Sequence, residues 1–339
     1  MCPGSVIHKG KTPTTESAKN VGMRSIPWQS KHQHGVFTTT QAIESGWSEP
    51  MLTRAVQLGD LVRLRRGAYA PPELDGWPAS TELLRIGQRG VAAALRIPAA
   101  SISHSASIAV HGLPLLDPPT QPCITLEPSL RTRPWNLHVH RQPIPAGHFD
   151  PTFDLKLTSV ARSCIDLARE SGTAAGLVAA DAALHRGLCT RDDLVSVYDE
   201  ICRGRAGLRD GRKLLEMLDV KAESPLESIS RLAFGDLPPP RTQVAIYASD
   251  GTFIGRVDFY WDQFGVVGEA DGQGKYSDDA LWKEKQREDK LSRAGLVTVR
   301  WGWIEARSPG VLPTRLSDGF ERAARMRAAG IPIDAIVRP

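Results

Sequence analysis

The sequence predicts a multidomain α/β protein with three parts: an N-terminal winged helix-turn-helix, a mixed α/β middle region, and a C-terminal α/β domain. Three observations carry this. The chain has 339 residues, and at about 150 residues per domain that gives two or three domains. Residues 35–72 read as helix, turn, helix and Arg-rich hairpin, while residues 222–309 read as helix, three-stranded meander, helix and strand. Hydrophobic residues make up 41% and charged residues 24%, a globular composition that excludes a wholly disordered or fibrous chain.

Residues 1–34 are polar, carry Lys9, Lys11, Lys19, Arg24 and Lys31, and read as a disordered lead-in. They lack the apolar core of a signal peptide. No apolar run approaches the ~20 residues of a membrane span. A cytoplasmic protein without membrane contact is the expectation. In residues 35–72, Val36 and Phe37 give an apolar start, and one of Thr38, Thr39 or Thr40 caps a helix that Gly46 ends. Ser48 caps a second helix through Leu58, closed by Gly59. Leu61 to Arg65 alternates as a strand, Arg66-Gly67 turns, and Ala68-Tyr69-Ala70 returns. In a winged helix the second helix enters the major groove and the hairpin lies along the backbone. Arg54, Arg63, Arg65 and Arg66 are placed to contact phosphates of duplex DNA. A solvated basic hairpin is the bland alternative.

Residues 80–221 alternate helical runs (81–96, 103–111) with strand-like segments at 123–126, 136–140 and 155–157, then pass into four helices that form a connector. Cys2, Cys123, Cys164, Cys189 and Cys202 are scattered, which argues against a disulfide framework and a cysteine-based zinc site. His138 and His140 share a strand face, with no third ligand evident in the sequence. His104 and His111 share a helix face and read as core or cap residues. Net charge is +3 over residues 1–80, +2 over 81–150, zero over 151–221 and −1 over 222–339. So small an excess makes local clusters, rather than the total, the argument for DNA.

The C-terminal domain carries the sharpest chemistry. Asp258 sits mid-strand, and Glu269 and Asp271 sit on one face near the end of the next strand. Carboxylates inside apolar strands are costly unless compensated, and a divalent cation is one compensation. No histidine follows His185, so oxygen ligands point to Mg²⁺ or Mn²⁺ rather than zinc. Bland alternatives exist: Glu227 as the capping-box partner of Ser224, Asp271-Gly272 as a turn, and Asp258 paired with Arg256. Trp282, Trp301 and Trp303 read as core. Residues 310–339 read as a helix and a tail. No nucleotide-binding loop is present.

Two resemblances follow from these residues. Glu227 on a helix, then Asp258, then Glu269-Ala270-Asp271-Gly272, a basic helix, and Leu296-Val-Thr-Val-Arg300 resemble the PD-(D/E)XK nuclease superfamily, within it the very-short-patch-repair endonuclease-related family. That resemblance implies a restriction-endonuclease-like fold, Asp258 and Glu269 as metal ligands, and Glu227 as an accessory acid. The superfamily lysine is replaced by Asp271, and Lys275 stands where relatives often have histidine. Lys275, or else Lys283 or Lys285, would supply the stabilising cation. Phe37-Thr-Thr-Thr-Gln-Ala42, Leu61-Val-Arg-Leu-Arg-Arg-Gly-Ala-Tyr69, and the middle segments Ser103–Ser107 and Thr158–Ala168 resemble AbiEi-type antitoxins of type IV toxin–antitoxin systems. That resemblance implies promoter binding, autorepression and a cognate toxin. The leading expectation is a DNA-binding, metal-dependent endonuclease. Its rivals are an antitoxin or repressor with a degenerate nuclease fold and a purely structural adaptor.

Overall fold

The computed structural model describes residues 25–77, 79–130, 136–202, 208–272 and 278–338. The chain is ordered earlier than the polar lead-in predicts. A 3-10 helix spans Trp28–His32, Ile26 joins the first core, and the Trp47 indole N–H donates to the Ser25 carbonyl at 3.3 Å. β1 (Phe37–Thr38), α1 (Thr39–Glu44), α2 (Glu49–Leu58), β2 (Val62–Arg65) and β3 (Ala68–Ala70) follow. Thr38 is the residue that caps α1. Its hydroxyl accepts from the Gln41 amide at 3.2 Å, and the Gln41 side chain accepts from the Thr38 amide at 2.8 Å. Gly59, at φ 81°, closes α2 in the left-handed conformation. The strands form an antiparallel sheet in the order β1-β3-β2, so Phe37 is a strand residue. Phe37, Ala42, Trp47, Leu52, Ala55 and Leu61 make one core beneath the helices and sheet.

The middle region contains α3 (Thr81–Arg96), β4 (Ser101–Ile102), α4 (His104–Val110), β5 (Cys123–Leu126), β6 (His138–Arg141), α5 (Val160–Ser171), α6 (Thr173–His185), α7 (Arg191–Cys202) and α8 (Leu208–Met217). β4 and β5 pair antiparallel, and β5 and β6 pair parallel. The strand expected at 155–157 reduces to a single bridge between Leu157 and Ile102, because Ser159 already caps α5 two residues on. Helices α5 to α8 enclose Cys164, Ile165, Ala168, Ala179, Leu194 and Leu214. A Cβ on Gly176 would lie 2.5 Å from that of Ala168, so glycine sets how closely α5 and α6 approach.

The last part comprises α9 (Pro225–Ala233), β7 (Arg241–Ala248), β8 (Phe253–Trp261), β9 (Val266–Ala270), α10 (Asp278–Arg293), β10 (Val297–Trp301), α11 (Trp303–Arg307), α12 (Val311–Ala328) and β11 (Ala335–Arg338). Asp181 of α6 joins it to the middle region by accepting from the Ser228 hydroxyl at 2.7 Å and by pairing with Arg231. The sheet order is β10-β9-β8-β7-β11, parallel only between β10 and β9. A meander makes neighbours antiparallel, whereas the α10 crossover returns β10 parallel. One face packs Phe259, Trp261, Val266, Val299 and Trp301 against α9, α11 and α12. The other packs Val244, Ile246, Val257, Tyr260 and Val267 against Leu291 of α10. The expected tail is instead the fifth strand. Of the three tryptophans expected in the core only Trp301 is buried. Trp282 is 63% and Trp303 36% exposed, because neither lies on an inward strand face. Among the described residues no helix is long and apolar enough to cross a membrane.

Candidate functional site

Two charged constellations stand out. The first is built on β8, β9 and the helices beside them. Asp258 is held by two donors: the Ala270 amide at 2.9 Å and the Gln243 side-chain amide at 3.3 Å. The same Gln243 nitrogen donates to Glu227 at 2.8 Å. Gln243 occupies φ 51°, and β7 keeps the same register against β8 on either side of it, Thr242 opposite Phe259 and Val244 opposite Val257. A non-glycine residue in this region is strained, and its side-chain amide lies between the two acids. Glu227 is at once the capping-box partner of Ser224. It accepts from the Ser224 hydroxyl at 2.7 Å and the Glu223 amide at 3.1 Å. Arg256 does not pair with Asp258 as one reading expects; it pairs with Glu223 at 2.6 Å.

Glu269 faces a cation from α10. Its Oε1 lies 2.9 Å from Arg287 Nη1, out of line for a hydrogen bond, so the contact is an ion pair without a directed N–H. Arg287 also binds Glu284, which pairs with Arg300, which reaches Asp271 at 3.4 Å. Glu269 and Asp271 therefore end a chain of alternating charges. Burial pushes the Asp258 carboxyl up to about 6, with the nearby Glu227 charge adding to it and the Ala270 amide opposing. Burial likewise pushes Glu269 up to about 7, with Arg287 opposing and Asp258 adding. Lys275 lies outside the described residues. Lys283 and Lys285 are exposed on α10; the cation that this helix delivers is Arg287.

Mg²⁺ or Mn²⁺ requires several oxygens converging at about 2.0–2.1 Å from one point. Here Gln243 sits between Glu227 and Asp258, an amide takes the second Asp258 oxygen, and a guanidinium faces Glu269. Among the described residues, Glu227, Asp258 and Glu269 do not gather three ligand atoms around one point. The residues in this arrangement do not fit the ion. Gln243 and Arg287 escape a sequence reading because neither has a motif. Only the pairing of β7 with β8 and the crossover geometry of α10 bring them in.

The second constellation is basic. Arg54 is exposed on α2, whose outward face also presents Thr53 and Gln57. Arg63 and Arg66 are exposed on β2 and the turn after it, whereas Arg65 is half-buried. Arg65 and Arg66 line a cleft of about 690 Å³ with Arg89 and Arg96 of α3, Gln121 and Asn136. Burial and the neighbouring Arg96 charge hold the Arg65 guanidinium below its ordinary range. One of its terminal nitrogens is buried without a partner. The hairpin residues predicted to touch DNA thus divide. Arg63 and Arg66 face solvent, and Arg65 turns toward α3. Arg89 and Arg96 escape a local motif search, lying on a different helix from the hairpin.

The N-terminal part is antitoxin-like: residues 28–72 match the family model described as transcriptional regulator, AbiEi antitoxin. This span begins at the 3-10 helix and ends just after β3. The chain is 29% identical over 279 residues to the uncharacterized protein MT2308 of Mycobacterium tuberculosis strain CDC 1551 / Oshkosh. The same identity and length hold for the uncharacterized protein Rv2248 of strain ATCC 25618 / H37Rv. Each alignment covers 79% of this chain and 95% of the relative. The crystal structure of the RV2827C protein from Mycobacterium tuberculosis aligns with TM-score 0.32 and 18% identity, over 57% of this chain and 78% of that one.

Proposed function

We propose that the protein is a DNA-binding transcriptional regulator of the antitoxin kind. Residues 35–72 act as a winged helix. α2 lies in the major groove with Thr53, Arg54 and Gln57 toward base edges, and Arg63 and Arg66 engage phosphates along the wing. The observation that carries this reading is the family match over the stretch in which Arg54, Arg63 and Arg66 stand solvent-facing. An autoregulated promoter and a cognate toxin are the partners such a protein takes.

The C-terminal domain keeps the helix, meander, helix, strand order of a restriction-endonuclease-like fold. In this reading Asp258, Glu269, Asp271 and Glu227 serve as a closed, neutralised network rather than as a hydrolytic centre. The supporting observation is Arg287 on Glu269 and Gln243 between Asp258 and Glu227. The test pairs a gel shift with a plasmid assay. The protein should retard DNA from upstream of its own gene more strongly than a scrambled duplex. It should leave supercoiled plasmid intact with Mg²⁺ or Mn²⁺. Metal-dependent nicking that disappears in Asp258→Ala would overturn the regulator reading in favour of the nuclease.

A further inference from the structure

On the two strands that follow Gln121 and Asn136 of the basic cleft, β5, β6 and the last turn of α5 bring four metal-competent side chains together. The parallel ladder sets Cys123 beside His138 and Thr125 beside His140. His138 and His140 are two apart on one strand and share a face. Glu170 closes the group from α5, its Oε1 3.0 Å from His138 Nδ1 and 3.3 Å from His140 Nε2. One ligand atom from each of Cys123, His138, His140 and Glu170 falls within 4.8 Å of every other. An ion about 2.0–2.3 Å from four ligands holds those ligand atoms about 3.3–3.8 Å apart, so the widest pair must close by about 1–1.5 Å.

The group carries signs of an unmet partner. His140 Nε2 is buried and meets the Glu170 carboxylate at 3.3 Å, out of line for a hydrogen bond. The ring is fixed from behind by His104, stacked on it at 3.6 Å between centroids and 10° between planes. His104 in turn is held by the Ser103 hydroxyl at 3.0 Å. The ring that aims Nε2 into the cluster is therefore clamped, as ligating imidazoles are by their surroundings. Cys123 is 2% exposed, while the His138 side chain is 54% exposed and leaves a route for an ion to enter.

We propose that Cys123, His138, His140 and Glu170 form a structural zinc site that ties β5 and β6 to the end of α5. Thiolate, two imidazoles and one carboxylate suit Zn²⁺ rather than Mg²⁺ or Ca²⁺. Four protein ligands close the coordination sphere, which marks a structural rather than a catalytic centre. The scattered cysteines hid this site from the sequence. Cys123 lies 15 residues before His138, and Glu170 lies 30 residues beyond His140, so no spacing motif exists; the parallel pairing alone assembles it.

The test uses the full chain, stripped with chelator and reloaded with Zn²⁺ or Co²⁺ alone. Elemental analysis should find one zinc per chain, and thermal stability should rise with Zn²⁺ and fall again with chelator. The Co²⁺ form should show a thiolate-to-metal charge-transfer band that Cys123→Ser removes. His138→Gln, at the exposed edge, should weaken zinc affinity at least tenfold with an unchanged circular dichroism spectrum. This second variant keeps the test decisive if Cys123→Ser fails to fold. Sub-stoichiometric zinc, a cobalt complex without the thiolate band, or undiminished affinity in His138→Gln would each overturn the site. Neither DNA binding nor plasmid integrity enters these readouts, so the zinc proposal and the regulator reading fail independently.

Discussion

The N-terminal unit and the C-terminal domain treat charge in opposite ways. Around the N-terminal hairpin, Arg54, Arg63 and Arg66 face water, and Arg65, Arg89 and Arg96 crowd one cleft that no carboxylate lines among the described residues. In the C-terminal sheet every acid that a sequence reading singles out has a partner: Arg287 for Glu269, Arg300 for Asp271, Gln243 for Asp258 and Glu227. Like charges left together are tolerable only where a ligand or solvent relieves them. Charges neutralised in place need no ligand. The contrast fits the proposed reading, in which recognition lies at the N-terminus and architecture at the C-terminus.

The strongest blow to this contrast falls on Arg287. Replacing it with methionine leaves Glu269 buried and facing Asp258 without its cation. Removing one partner of a buried pair typically costs about 3–5 kcal/mol. Arg287 is partly solvated, its side chain 19% exposed, so about 3 kcal/mol is expected for Arg287→Met in urea unfolding. Adding Glu269→Gln should restore part of that loss. If Arg287→Met instead becomes selectively stabilised by Mg²⁺, the acids were a metal site masked by arginine, and the comparison breaks.

Acidity offers the next test. Asp258 is raised from 3.8 to about 6 and Glu269 from 4.5 to about 7. The folded state thus holds protons that the unfolded chain has released. Stability from these groups is complete below pH 4 and is lost as pH rises through 6 for Asp258 and 7 for Glu269. Each loss is about 3 kcal/mol. Asp258→Asn, permanently neutral, should therefore gain stability relative to the parent above pH 6 and show no such gain below pH 4. A difference that does not change with pH would mean that the Asp258 carboxyl titrates alike in the folded and unfolded chain.

The wing should respond in affinity rather than stability. Arg63→Ala with Arg66→Ala should weaken binding to duplex DNA by about tenfold. It should also make the slope of log affinity against log salt shallower by about 1.8, the worth of two phosphate contacts. Thermal midpoints should barely move, since both side chains are exposed. Unchanged salt dependence would take the wing off the DNA.

How far these regions can be read beforehand also differs. The elements of the N-terminal unit follow from local signals: Thr38 and Gln41 as reciprocal cap, Gly59 as stop, Gly67 as turn. So do the meander strands, bounded by Asp250-Gly251 and Gly265. What escapes is everything set by non-local pairing. β1 exists only because Phe37 meets Tyr69, and β11 only because the terminal residues find the open edge of β7. The acids were visible as misfits in apolar strands. Their partners were not, since Gln243 depends on a left-handed backbone turn within β7 and Arg287 on the return of a distant helix. A carboxylate in a strand announces that something compensates it, but residue identity alone does not say whether that is an ion or a guanidinium.

Glu227 gives the smallest and most discriminating effect, because it belongs to both accounts. As a cap it serves the Glu223 amide and the Ser224 hydroxyl; as an acid it touches Gln243. Glu227→Ala removes both roles and should cost about 1 kcal/mol, the usual worth of a cap. Glu227→Gln separates them. Glutamine serves equally well at this position of a capping box, and it keeps a carbonyl for the Gln243 amide while discarding the charge. If the acid is architectural, Glu227→Gln should recover most of the stability that alanine loses. It should also lower the Asp258 acidity constant toward 3.8 by removing a neighbouring negative charge, readable by NMR titration of the side-chain carboxyl. A glutamine variant as unstable as alanine would show that the charge itself, and not the cap, is what α9 requires.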